Sequence, residues 1–297
     1  MDLRELETFR AVVEAGGVAR AAQRLHRAQS SVTARLRQLE ASLGVALFRR
    51  EGRRLALTPA GDALVDYAGR MLELADETRQ AVRRDGVCGR VRLGTMESTA
   101  ASRLPRPLAS FHGAHPRVAV ELQTAPSRDL LSRLQAGELD LIVAGDDVDR
   151  SQFVATPLYR ETLVLVAAAG AEAHTFPQAL AGGTLLVFRG QGCAYRRRLD
   201  AWLAHRRIVP GRTLEYASYH AILASAAAGV GVCLVPQSVL DIYPQRDALS
   251  VHALPARFAR LPTLLIRRRD QHRVAVAQLA EHLRRDARSA SPQQAAA

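Results

Sequence analysis

The chain has 297 residues, 48% hydrophobic and 24% charged, which suits a soluble globular protein of two or three domains and excludes a disordered or fibrous chain. Three cysteines, Cys88, Cys193 and Cys233, are odd in number and widely spaced, which excludes a disulfide framework or a cysteine-built metal cluster. The formal net charge of +12 is the unusual quantity, and it points to a polyanionic partner.

All 41 basic residues are arginine. A GC-rich genome would produce the same bias, so the location of the charge says more than its size. Between Arg20 and Arg54 nine arginines stand against Glu40 and Glu51. More than half of the net excess therefore sits in about an eighth of the chain, as a local patch.

Taken in order, residues 3–14 place Leu3, Leu6, Phe9, Val12 and Val13 on one helical stripe, ended by Gly16-Gly17. The opening "MDLRELETFRAVVEAGG" has no long apolar run, so neither a secretory signal nor a membrane span is expected and the location reads as cytoplasmic. A second short helix runs from Val18 to about Leu25. A third runs from about Gln29 to Leu43 and stops at Gly44. "VALFRREGRRLALT" reads as two short strands around Glu51-Gly52. Thr58-Pro59 then starts a long helix to about Arg84. Along it Leu64, Ala68, Met71, Ala75, Thr78 and Val82 alternate four and three apart, a dimer seam by spacing.

From residue 90 the texture becomes strand–helix alternation. Strands are expected at 90–96, 117–123, 139–145, 162–169, 184–188, 212–216, 231–235 and 261–267, with helices at 98–113, 127–136, 193–205, 219–228 and 236–241. Such alternation makes a mostly parallel α/β sheet, and its length suggests two lobes. "SASPQQAAA" at the end reads as a disordered tail.

In the third helix Val32, Leu36, Leu39 and Leu43 form the stripe to be buried. Opposite and beside it lie Ser30, Ser31, Thr33, Ala34, Arg37, Gln38 and Ala41. Small hydrogen-bonding side chains near a helix start suit entry into a major groove, where Gln29, Ser30 and Thr33 offer donors and acceptors to base edges. Arg35 and Arg37 reach phosphates, contacts that position the helix without reading sequence. Two helices joined by a short turn, the second presenting this face, make a helix-turn-helix. A plain solvated helical hairpin is the competing reading.

The stretch "GGVARAAQRLHRAQSSVTARLRQLEASLGVALFRREGRRLALTPAG" resembles the N-terminal signature of LysR-type transcriptional regulators. The matching features are Ala21-Ala22, Leu25, Gln29, Val32-Thr33, Leu39-Glu40, Leu43-Gly44, Leu47 to Arg50 and Leu57 to Gly61. The resemblance implies a winged helix-turn-helix, a dimerising linker helix and a two-lobed α/β effector domain similar to periplasmic binding proteins. It also implies promoter DNA, a small-molecule effector and a homodimer that assembles to a tetramer as partners, with RNA polymerase if the protein activates. Four positions depart from the family pattern. Gly17 stands for a serine cap, Ala28 for a serine or threonine cap, Ser30 for proline, and Ala34 for an arginine that touches DNA. Arg35, or Arg53 and Arg54 in the wing after Gly52, would then supply backbone or minor-groove contacts.

In the later half, helix N-termini close to strand ends favour anions. "GTMEST" offers Thr95, Ser98 and Thr99, "FRGQGCAYRRR" offers Arg189, Gln191 and Cys193, and "ASYH" offers Tyr219 and His220. By the resemblance these junctions line the cleft between the lobes, and arginine with helix N-termini suggests an anionic effector. Capping alone would equally explain Ser98 and Thr99. Cys193, near Arg196 and Arg197, lies roughly where the peroxide-sensing branch of the family has its reactive cysteine, so a redox switch is a second reading. Against it, no cysteine follows within the next helical turns. An effector-independent architectural DNA binder is a third.

No catalytic constellation, metal site or cofactor is expected, and "HGAH" at 112–115 lacks further ligands nearby. The expected domains are 1–58, the winged helix-turn-helix; 59–88, the linker helix; 89–161 with 266–290, lobe I; 162–265, lobe II; and 291–297, a disordered tail.

Overall fold

A computed structural model describes residues 1–51, 54–83, 86–145, 148–170, 180–190 and 192–294. The chain divides into two compact units, Met1–Gly89 and Arg90–Ala297.

The first unit opens with α1 (Leu3–Ala15), α2 (Val18–Arg24) and α3 (Gln29–Leu43). Asp2 and Glu5 cap α1 reciprocally: Glu5 N–H donates to Asp2 Oδ1 and Asp2 N–H to Glu5 Oε2, both at 2.8 Å. By contrast α2 and α3 begin at Gly17 and Ala28 with no side-chain cap, so the departures from the family pattern are real losses of capping. Gly16 and Gly44 close α1 and α3 in the left-handed region, where a side chain would be strained. A hairpin follows, β1 (Phe48–Glu51) and β2 (Arg54–Leu57), and then α4 (Pro59–Arg83).

Leu6, Phe9, Val12, Ala21, Val32, Leu36, Leu39, Leu47 and Ala68 form the core of this unit. Leu43, expected on the buried stripe, is instead 36% exposed, because α3 ends there and the wing turns away. The expected seam of α4 also divides. Leu64 and Ala68 pack into the unit's own core together with Val65 and Leu72. The exposed apolar side chains are Tyr67, Met71 and Leu74, followed by exposed Thr78. Met71 and Thr78 are expected seam positions, whereas Tyr67 and Leu74 stand exposed one residue before the expected Ala68 and Ala75; Val82 lies outside the described side chains.

The second unit contains β3 (Gly89–Thr95), α5 (Glu97–Ser102), α6 (Pro105–Ala114), β4 (Val118–Thr124), α7 (Ser127–Ala136), β5 (Leu141–Ala144) and the long β6 (Phe153–Ala168). Next come β7 (Thr184–Phe188), α8 (Ala194–Arg206), β8 (Arg212–Tyr216), α9 (Tyr219–Ala227), β9 (Val232–Pro236) and α10 (Gln237–Leu240). The last elements are β10 (Leu249–Ala253), α11 (Ala256–Ala259), β11 (Arg260–Arg268) and α12 (Val274–Gln294).

The strands are ordered β4-β3-β5-β11-β6-β9-β7-β8, with β10 also on β6. The β3–β5, β7–β8 and β7–β9 pairs are parallel, and β6 and β11 run antiparallel to their neighbours. These two long strands carry the chain between lobes. Residues 153–162 of β6 pair with β11, while Leu163 to Ala168 pair with β9 and β10 in lobe II. Lobe I packs around Leu130, Leu134, Leu139, Ile142, Phe153, Leu264 and Ile266. Lobe II packs around a larger cluster that includes Leu165, Leu186, Leu199, Trp202, Ile222, Leu223 and Leu234.

Several elements differ from expectation. The helix expected over 98–113 is two helices: α5 ends at Ser102 and α6 starts at Pro105, whose missing N–H costs nothing at a first helical position but cannot continue the ladder of a preceding helix. β6 begins nine residues earlier than expected. Pro157 had masked it, and a bulge absorbs the irregularity: Tyr159 pairs with Thr263 and Pro157 with Leu264, skipping Leu158. β10 and α12 were not expected, and α12 runs through residues 291–294 of the expected disordered tail; 295–297 lie outside the described residues. Among the described residues no helix is long and apolar enough to cross a membrane.

Candidate DNA interface and effector cleft

In the first unit the amphipathic division of α3 places chemistry as its sequence suggests. Val32, Leu36 and Leu39 are buried, while Gln29, Ser30, Ser31 and Arg37 are exposed and Thr33 and Arg35 are half-buried. The Thr33 hydroxyl donates to Gln29 O at 2.9 Å, which uses its proton and leaves the oxygen to act as an acceptor. Arg53 lies outside the described residues, as does the side chain of Arg54, whose backbone begins β2.

Two residues of this unit act by holding the wing. The Glu40 carboxylate accepts from Leu47 N–H at 2.8 Å and from Phe48 N–H at 3.2 Å, tying β1 to α3. Thr58 Oγ1 donates to Ala46 O at 2.7 Å and accepts from Gly61 N–H at 3.0 Å, tying the start of α4 to the residues before β1. Along the sequence Glu40 stands out only as a charge and a motif position. An acidic side chain late in an otherwise arginine-rich helix was the available signal.

In the second unit the helix starts converge on a cleft between the lobes. Lobe I contributes the β3–α5 junction and the β4–α7 junction. Lobe II contributes the β7–α8 loop and the β8–α9 junction. Its inner chamber, about 20 Å³, is walled by Met96, Glu97, Ser98, Pro126, Ser127, Phe188, Cys193, Tyr195 and Tyr219. An outer cavity of about 460 Å³ shares Glu97, Pro126 and Phe188 with it and adds Asp129, Arg189 and Glu215.

The lobes meet closely here. Ser98 Oγ lies 3.3 Å from Tyr195 Oη across the cleft. A Cβ on Gly192 would come within 2.8 Å of Arg128 Cβ, so the glycine is what lets this loop approach lobe I. Phe188 and Tyr219 stack with ring centres 5.0 Å apart. Burial pushes the Tyr195 and Tyr219 phenols far above their ordinary range, so both stay neutral donors.

Of the expected cleft residues, Ser98, Cys193 and Tyr219 reach the inner chamber and Arg189 the outer cavity. Thr95 and Thr99 do not line it. Thr95 Oγ1 bonds Val143 O at 3.2 Å, and Thr99, also buried, has no partner for its Oγ1. His220 is exposed beside Glu97 and packs edge-on against Tyr243. Gln191 lies outside the described residues. Cys193 is buried as part of the wall, with no side-chain capping bond on α8.

Glu97, Ser127, Asp129 and Glu215 were missed. Glu97 is the most consequential of them. Burial raises its pKa, while the Tyr219 N–H and His220 favour the charged form. A carboxylate thus already occupies the α9 N-terminus, where an anionic ligand was expected to dock. Its place in "GTMEST", between the hydroxyl residues thought to cap, was the signal passed over.

Below the cleft a buried network joins the lobes. Glu161 on β6 accepts from Arg103 Nε at 2.8 Å, from Arg103 Nη2 at 3.2 Å and from Ser238 Oγ at 2.9 Å. Ser102 Oγ donates to Ser238 Oγ at 3.1 Å. Among the described residues no group of three His, Cys, Asp or Glu side chains is placed to hold a metal, and His115 packs on the Phe111 ring.

Comparison with known families settles the class. Residues 3–62 match the bacterial regulatory helix-turn-helix protein family of lysR type, and residues 84–288 match the LysR substrate binding domain. The chain belongs to the LysR family of transcriptional regulators.

This LysR-type regulator is 33% identical over 275 residues to the HTH-type transcriptional regulator YusT of Bacillus subtilis, covering 91% of this chain and 90% of that one. It is 28% identical to CbnR, a LysR-type structure solved with its target DNA, at a TM-score of 0.66, covering 96% of this chain and 100% of CbnR. Full-length OxyR from Pseudomonas aeruginosa superposes at a TM-score of 0.70 over 96% of this chain and 95% of its own; at 24% identity this likeness is one of fold. The regulator accordingly has a DNA-binding helix-turn-helix domain and an effector-binding domain.

Proposed function

We propose that the regulator binds promoter DNA in the cytoplasm as a homodimer that assembles to a tetramer, and changes its grip when a small molecule enters the inter-lobe cleft. The exposed edge of α3 supports the DNA half most directly: Gln29, Ser30 and Ser31 stand clear of a core made by the opposite face of the same helix. Gln29, Ser30 and Thr33 read base edges, while Arg35, Arg37 and the wing arginines Arg53 and Arg54 hold phosphates. The exposed Tyr67, Met71 and Leu74 face of α4 supplies the dimer seam. If the protein activates, RNA polymerase is a further partner.

A footprint on the gene's own upstream region, with and without candidate metabolites, tests the assignment. Gln29→Ala with Thr33→Ala is expected to lower the ratio of specific to non-specific affinity by about tenfold or more. Arg37→Ala is expected to weaken binding to all sequences and reduce the salt slope by about 0.9. Unchanged binding in both variants would refute the docking.

Cys193 acts in this reading as pocket wall and not as a thiol switch, since it is only 7% exposed. Mass spectrometry after mild peroxide is expected to find Cys193 unmodified while the folded protein retains its DNA affinity. Stoichiometric Cys193 oxidation with altered affinity would establish the switch instead. Architectural, effector-independent binding would be favoured if no metabolite changed operator affinity.

A further inference from the structure

Glu97 lines both the inner chamber and the outer cavity, and its Oε2 is buried without a hydrogen-bond partner. Ser127, which also lines the inner chamber, is 0% exposed, and its Oγ likewise has no partner. Two oxygen acceptors are thus left unsatisfied in one small space, a situation folded proteins avoid unless something else completes it. The remaining walls include Phe188, Tyr195 and Tyr219. A carboxylate among aromatic side chains is a setting that favours a cation over an anion, chiefly through the carboxylate charge.

The balance of charge agrees. Glu97, Asp129 and Glu215 line the outer cavity against Arg189, with His220 the basic neighbour of Glu97. An anion placed at the α9 N-terminus would have to displace the Glu97 carboxylate or sit against it. The chamber has room for a water-sized group, and an ammonium is of that size.

We propose that the cleft seats a primary ammonium group against Glu97 and Ser127, among Phe188, Tyr195 and Tyr219, so that the small molecule this regulator senses is an amine. The inference rests on the reading of the cleft as the effector site. The ammonium donates to Glu97 Oε2 and Ser127 Oγ, and the rest of the molecule extends into the outer cavity beside Arg189, Asp129 and Glu215. Glu97 belongs to lobe I and the aromatic rings to lobe II, so an amine held between them favours the closed cleft.

Thermal shift and calorimetry on the full chain test this with compounds of matched skeleton. The amines are 1,4-diaminobutane, 1,5-diaminopentane and 4-aminobutanoate; the acids are butanedioate and pentanedioate. At least one amine is expected to raise Tm, and the diacids are not. Glu97→Gln keeps an acceptor for the Tyr219 N–H but removes the charge, and is expected to weaken amine binding by at least about tenfold. Ser127→Ala is expected to weaken the same amine more modestly.

Diacids that bind while the amines do not would overturn the inference and leave the effector reading standing. Amine binding that survives Glu97→Gln, or a neutral or acidic metabolite that shifts operator affinity when no amine does, would also overturn it. If no small molecule changes Tm or operator affinity, the effector reading itself fails, and the inference fails with it.

Discussion

Arg103→Ala is expected to lower the unfolding free energy of residues 90–297 by about 3 kcal/mol. Glu161 is 2% exposed, and its carboxylate is held by a two-pronged bond from Arg103 and by Ser238. Burial works against the Arg103 charge, yet Glu161 more than offsets this and leaves the guanidinium pKa above its ordinary value. Truncating Arg103 would leave a carboxylate that is 2% exposed without its charged partner, so most of the loss is the desolvation penalty of Glu161 and not the value of the pair. The low end of the range for broken buried pairs applies because Arg103 remains 18% exposed. Trp202, the single tryptophan, is buried in lobe II and makes fluorescence a local reporter of this unit. Urea unfolding followed at Trp202 should show the loss, and Tm should fall by about 10 °C. The double variant Arg103→Met with Glu161→Leu should recover most of it. A shift under about 0.5 kcal/mol in the single variant would mean that the network contributes no more than a surface pair.

Gly61→Ala is expected to destabilise the DNA-binding unit by about 3 kcal/mol and to abolish operator binding, with little effect on the Trp202 transition. A Cβ at this position would stand 2.1 Å from the Leu47 carbonyl oxygen and 2.8 Å from Leu57 Cδ2. The first obstacle is backbone already held by the Thr58 N–H bond to Leu47 O, so it cannot swing aside as a side-chain end would. Gly69 on the same helix is the control. Nothing lies within 4 Å of a Cβ there, so Gly69→Ala should raise stability by about 0.5–1 kcal/mol through helix propensity. Circular dichroism with gel-shift titration would check both. A Gly61→Ala protein with unaltered operator affinity would show that the wing does not depend on this contact.

Gly61 also shows how far a motif can be read. Thr58, Pro59 and Gly61 announce a capped helix start. The requirement for glycine in particular comes from Leu47, fourteen positions earlier in the chain and brought to this spot by the hairpin turn. Glu40 is similar: its partners, the Leu47 and Phe48 amides, become neighbours only when β1 folds back on α3.

Local pattern was enough wherever one helix or strand presents a single buried face. The period of α3 separated Val32, Leu36 and Leu39 from Gln29 and Ser30, and strand–helix alternation identified the α/β unit and most of its strands. It misled where two faces compete. On α4 the Leu64–Ala68 phase packs internally and leaves Tyr67, Met71 and Leu74 outside, a choice made by what α1 and the wing cover.

The cleft depended on long-range closure. Glu97 and Tyr219 are more than a hundred residues apart, as are Glu97 and Glu215, and Gly190 and Gly192 come against Pro126 and Arg128, the neighbours of Ser127, only in the folded chain. Helix starts facing strand ends suggested an anion because each N-terminus was considered alone. A helix dipole has a fixed sign, but what it binds depends on which charge the fold brings to it first. Here the fold brings Glu97. The chain's periodicities and breakers are local and therefore readable along the sequence; the sign and size of its cleft are sums over residues that are neighbours only in space.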